Sequence, residues 1–243
     1  IQRRKLRLLA SQDQAFARRT SDSVAIESAI RNYETAFRMQ SSIPEVANIQ
    51  DEPEHILKMY GVDSDHDLKR YYSLQCLRAR RLVERGVRFI EITCPLTHSN
   101  NSPWDQHGNI KKYHEENSLI TGQAVTGLIT DLKQRGLLEE TLLVFCTEFG
   151  RLPMFQRGTF GRDHNPRGFT CWMAGAGVRT PFSYGATDDF SFQAVRDVAT
   201  VHDFHATILH LLGLDHKQLT YYHNGLQRRL TDVHGEVLSD VIA

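Results

Sequence analysis

Four short groups pair a carboxylate with an imidazole or a guanidinium at close spacing: Trp104-Asp105-Gln106-His107-Gly108, Thr147-Glu148-Phe149-Gly150-Arg151, Gly161-Arg162-Asp163-His164-Asn165 and His202-Asp203-Phe204-His205. Ten of the twelve histidines lie at or after His98. Imidazole nitrogen and carboxylate oxygen together are the donor set of a catalytic zinc or manganese ion. Such an ion polarises an ester oxygen and activates a nucleophile, and two of them clamp both ends of a displacement. The candidate metal ligands are therefore Asp105, His107, Glu148, Asp163, His164, His202 and His205, with zinc or manganese ahead of calcium. Arg151 and Arg162 flank these ligands, and a guanidinium suits the oxygens of a sulfate or phosphate. Each group also has a purely structural reading. Asp105, His107 and Glu148 could cap loops or turns, Asp203 could cap a helix, and a surface arginine needs no ligand. His210, His216, His223 and His234 read as surface or core residues.

The elements that must position these groups follow from periodicity. Residues 1–86 read as helical, with apolar positions at spacings of three and four from Ala25 to Phe37. Pro53 suits a helix first turn, and Gly61 and Gly86 suit helix stops. From residue 87 the period changes. Val87–Ile92 alternates as a strand does, and Thr97–Gly108 is a polar loop. Lys112–Gln134 is a helix closed by Gly136, and Leu142–Cys146 is a short apolar run expected as a buried strand. Gly150–Gly168 is a long Gly- and Pro-containing loop, Phe169–Ala174 a third strand, and Val201–Leu212 a helix closed by Gly213. Strands alternating with helices predict an α/β fold, a parallel sheet flanked by helices, with ligands gathered at successive strand ends. The expected division is a helical segment over 1–86 and an α/β portion over 87–243.

Composition narrows the class further. With 243 residues, 40% of them hydrophobic, the chain can bury a substantial core. Lys+Arg and Asp+Glu are both 29, so the sequence lacks the basic balance that nucleic-acid binding usually shows. No apolar run reaches the roughly 20 residues of a membrane span, and no signal peptide is evident. Cys76, Cys94, Cys146 and Cys171 are widely spaced, which argues against a disulfide framework or a cysteine zinc site. Cys94, Cys146 and Cys171 sit in apolar runs and read as small buried hydrophobes.

Beyond these patterns, particular motifs resemble a known family. Gly136–Gly150 (GLLEETLLVFCTEFG) is similar to the sulfatase segment that leads through a turn and strand to a metal-binding acid. His205–Gly213 (HATILHLLG) resembles a helix of the alkaline-phosphatase superfamily. YETAFRMQ, ARRLVERGVRF, WDQHG, EFGR, GRDH and LTDVHG resemble an uncharacterised bacterial family of sulfatase-like proteins, over nearly the whole chain. The resemblance implies the C-terminal part of a metal-dependent hydrolase of sulfate or phosphate esters, on a small-molecule or glycan substrate. It implies Asp105, His107, Glu148 and His164 as metal ligands and an exported or periplasmic setting. It also implies an upstream segment bearing the nucleophile, of which residues 1–86 show no equivalent. This sequence departs from the pattern at Phe149, directly after Glu148, and in the tight Asp105-x-His107 spacing. The missing nucleophile and Phe149 leave open a non-catalytic exported binding or scaffold protein. A purely structural α/β domain is the third alternative.

Overall fold

A computed structural model describes residues 2–17, 19, 23–95 and 104–243. The expected polar loop Thr97–Gly108 lies outside the described residues as far as position 103. The chain divides into two compact units, Ile1–Pro53 and Glu54–Ala243. The first contains helices α1 (Gln2–Ala17) and α2 (Ser23–Ala47), which pack on each other.

The second unit is built on three helices: α3 (Glu54–Tyr60), α4 (Asp67–Glu84) and α5 (Ile110–Gln134). Their apolar positions recur every three or four residues, so each presents one stripe to the others. Tyr60 and Ile56 of α3, Tyr72, Cys76 and Leu77 of α4, and Ile120, Ala124, Leu128 and Leu132 of α5 are buried there. Gly127 permits the close approach of α5 to α3, since a Cβ would stand 3.0 Å from the Met59 carbonyl oxygen and 3.1 Å from Tyr60 Cα. Gly86 and Gly136 follow α4 and α5 with φ of 75° and 70°, left-handed conformations that glycine adopts without a Cβ penalty.

The remaining elements are small. Strand β1 (Leu142–Phe145) pairs antiparallel with β4 (Trp172–Gly175), and β2 (Gly150–Arg151) pairs antiparallel with β3 (His164–Asn165). β5 (Ala186–Thr187) pairs with β6 (Ala194–Arg196), and β7 (Thr220–His223) with β8 (Leu226–Arg229), again antiparallel. Helix α6 (Val201–Leu211) begins with a capping box in which Thr200 and Asp203 satisfy each other's backbone N–H groups.

This architecture corrects the expected parallel α/β sheet. Among the described residues the strands form four separate two-stranded antiparallel ribbons, with no large sheet flanked by helices. The physical reason lies in the connections. A parallel pair needs a crossover, usually a helix. Between β1 and β4 the chain supplies only a loop that folds back through β2 and β3. Val87–Ile92 alternates in polarity but forms no strand, and Phe89 is 79% exposed. The cysteines also depart from expectation: of the three read as buried, Cys94 and Cys171 are half-buried and Cys146 is exposed, while Cys76 is the buried one. Among the described residues no helix is long and apolar enough to cross a membrane.

Candidate metal centre

Loop geometry brings together three of the expected ligands. β2 pairs with β3 in the register Arg151↔His164. Leu152 N donates to the Asp163 carbonyl at 2.9 Å, so the chain entering and leaving the 152–163 loop is stitched at its base. The Trp104–Gly108 loop is laid against that ribbon. Arg162 N donates to the Gln106 carbonyl at 3.2 Å, and Ile110 N to the Phe160 carbonyl at 3.2 Å. Gly161 makes the approach possible. A Cβ there would stand 2.0 Å from the His107 carbonyl carbon and 2.3 Å from Gly108 N. Backbone runs so close to backbone that any side chain would force the loops apart.

The result is a triangle of donor atoms. His107 Nε2 and His164 Nε2 are 3.0 Å apart. Asp105 Oδ1 lies 3.1 Å from the first and 3.3 Å from the second. Zinc bonds of 2.0–2.1 Å in tetrahedral arrangement place neighbouring ligand atoms about 3.3 Å apart. The triangle fits that spacing. The three side chains are between 36% and 40% exposed, so a small ion and its ligand can reach them.

Each ligand is held by a partner. Arg151 Nη2 donates to Asp105 Oδ1 at 2.6 Å and to the Trp104 carbonyl at 3.1 Å, while Nη1 donates to the Arg162 carbonyl at 2.9 Å. The Arg151 hydrogen bond holds the Asp105 carboxyl below the usual carboxylate range; partial burial opposes this, and His164, the charge of His107 and that of Arg151 add to it. His107 Nδ1 is 2.8 Å from Gln156 Oε1. The His164 ring lies on Phe149, with centroids 4.0 Å apart. Behind the loop, His114 on α5 hydrogen-bonds Gln106 and packs edge-on against Trp104 at 5.2 Å. Burial pushes the His114 pKa down, and the charges of Arg151 and Arg162 push it further.

The other expected residues stand differently. Asp163 accepts from His164 N at 2.8 Å, and its Oδ1 is 3.9 Å from His107 Nδ1, outside the ligand triangle. Glu148 is exposed and is not part of the triangle. His202 and His205 lie on α6, where His205 Nδ1 bonds the Val201 carbonyl at 2.8 Å. Neither joins the group. Arg151, expected to grip an anion, is committed to Asp105 and two carbonyls. Arg162 has a buried Nε with no hydrogen-bond partner among the described residues. Gln156, Phe149 and His114 were not singled out as site residues. Their contacts arise from loop packing, and no spacing in the sequence announces them.

A helix-rich protein with a half-exposed His₂Asp triangle on stitched loops is thus a candidate metalloprotein. Residues 1–242 match the family model described as "Protein of unknown function (DUF1501)", and the chain belongs to that family. This corrects the sulfatase-like reading. The matching description carries no activity, and nothing in the comparisons ties the chain to sulfatases or to the alkaline-phosphatase superfamily. A search of curated proteins finds no match. A search of solved structures finds none either.

Proposed function

We propose that Asp105, His107 and His164 bind one divalent ion and that the site hydrolyses sulfate or phosphate esters. The observation that supports this most is the 3.0–3.3 Å triangle of three donor atoms, two from the Trp104–Gly108 loop and one from β3. Two imidazoles and one carboxylate favour zinc or manganese over calcium, which prefers an all-oxygen shell. Bound there, such an ion supplies Lewis acidity toward an anionic ester oxygen and toward water. The protein's own contributions are distinct. Arg151 holds the Asp105 carboxylate in place and ionised. Arg162, next to Asp163 and His164 in the chain, supplies charge for the ester's remaining oxygens.

A second reading, a binding protein without turnover, has one observation in its favour. Among the described residues no serine, threonine or cysteine side chain hydrogen-bonds Asp105, His107 or His164, so the described site contains no evident protein nucleophile.

Metal content of the purified protein and of His164→Ala, read by elemental mass spectrometry, tests the proposal. The expected result is about one equivalent of zinc or manganese in the wild type and a loss of more than about 100-fold in affinity in the variant. The floor is set by the 10–100-fold cost of losing a mere outer-shell partner. Metal retained by His164→Ala, or absent from both proteins after reconstitution, overturns the site. Stoichiometric metal without turnover of aryl sulfate or aryl phosphate esters selects the binding reading.

A further inference from the structure

The two imidazoles of the triangle face each other through like atoms, and this constrains their hydrogens. At 3.0 Å between the two Nε2 atoms, two N–H groups would collide and two lone pairs would repel. A metal ion requires both Nε2 atoms bare. The ring's other nitrogen decides which tautomer a neutral histidine takes. Gln156 stands at that nitrogen of His107, with its amide oxygen 2.8 Å from Nδ1. An acceptor oxygen there favours the tautomer with the hydrogen on Nδ1 and Nε2 free.

The position of Gln156 is set independently of this contact. Its N–H donates to the Gly161 carbonyl at 2.9 Å, and its carbonyl accepts from Thr159 N and Thr159 Oγ1, both at 3.1 Å. Gly161 is in turn the residue pressed against the His107 backbone. The 156–161 turn therefore grips His107 twice, by its main chain through Gly161 and by its ring through Gln156.

We propose that Gln156 is the positioning residue that orients the His107 ring and presents its Nε2 as the ligand atom. The inference rests on the metal-site reading above. Gln156 shares the Nδ1 side of the ring with Asp163, whose Oδ1 lies 3.9 Å from Nδ1, and is the nearer of the two acceptors.

Long-range ¹H–¹⁵N NMR of histidine-labelled, metal-free protein reads the tautomers directly, and zinc titration reads the consequence. The wild type is expected to show His107 protonated at Nδ1. Gln156→Ala should populate the Nε2–H form of His107 and weaken zinc binding by about 10–100-fold. Gln156→Glu, which keeps an acceptor oxygen, should retain the Nδ1–H form and restore binding. A wild type that takes up zinc but carries His107 as Nε2–H overturns the assignment of Gln156. So does a folded Gln156→Ala with unchanged tautomer and affinity. A wild type with the expected tautomer that takes up no zinc overturns the metal reading instead, so the two failures are separable.

Discussion

Two aspartates in the second unit are each gripped by arginine, and they do opposite things. Asp131 on α5 is 2% exposed. Its Oδ2 lies 2.9 Å from Arg80 Nε and accepts from the Tyr60 hydroxyl at 3.0 Å, and its Oδ1 accepts from Arg135 Nε at 2.7 Å. Glu84 closes the circle, reached by Arg80 at 2.7 Å and Arg135 at 2.8 Å. Burial, with the Asp131 charge adding, pushes the Tyr60 phenol far up, so it stays a donor. Asp105 has one arginine, is 40% exposed, and turns the same oxygen toward two imidazole nitrogens. Residue type alone does not separate a structural carboxylate from a ligand. Burial and the direction of the unshared lone pairs do.

The largest effect that would test this contrast is at Asp131. Asp131→Ala leaves the buried Arg80, itself 3% exposed, facing a hole at Nε with Glu84 as its remaining counter-charge. Breaking a buried pair from one side typically costs about 3–5 kcal/mol. Urea denaturation of the metal-free protein should show a loss of that size, whereas Asp105→Asn should cost far less. If the two variants lost equal stability, Asp105 would be a structural anchor and the contrast would collapse.

The next effect lies in the loop that joins the two histidines. Gly161→Ala forces a methyl into backbone atoms that a Cβ would meet at 2.0–2.3 Å. Overpacking of this kind costs about 1–3 kcal/mol, and here the strain falls on the contact that seats His107. Zinc affinity should drop together with stability. Gly108→Ala is the matched control: the same neighbourhood, but no heavy atom within 4 Å of the added Cβ. It should stay within about 0.5 kcal/mol of wild type. Equal behaviour of the two glycine variants in both measurements would show that the close approach does not seat the ligand.

These sites also mark what the sequence could and could not convey. Helices were legible because their signal is local. The apolar stripe of Lys112–Gln134 and the stops at Gly86 and Gly136 correspond closely to α4 and α5. Sheet architecture was not, because strand direction depends on the route between strands. The apolar runs Leu142–Cys146 and Phe169–Ala174 suit a parallel sheet as well as an antiparallel one, yet they pair antiparallel across a loop that lacks a crossover helix. The pairs Asp105/His107 and Asp163/His164 stood out by composition, and the fold brings Asp105, His107 and His164 together. Glu148, His202 and His205 looked equivalent to them. What separates them is the stitching of β2 to β3 and the bare backbone at Gly161, neither of which has a residue pattern at long range. The Arg80–Asp131 pair is invisible for the same reason, since 51 positions separate its members.

The smallest effect is the pH dependence of Asp105, and it carries the finest distinction. Its carboxyl is held below the ordinary value, first by the Arg151 hydrogen bond against some burial. A group whose folded pKa is depressed contributes stability that is fully present above its unfolded value, about 3.9. That contribution is lost as pH falls through the lower folded value. Asp105→Asn carries no such titration. The stability gap between wild-type and variant metal-free protein should therefore be steady from about pH 5 upward and shrink below about pH 4. Because the carboxylate is 40% exposed and solvent screens it, the closing part of the gap should stay under about 1 kcal/mol. A gap independent of pH would mean that the Asp105 charge contributes nothing to the fold. A closing gap of several kcal/mol would place Asp105 beside Asp131 as a buried structural charge. A small gap that closes in acid is what a ligand carboxylate held by a single arginine should give.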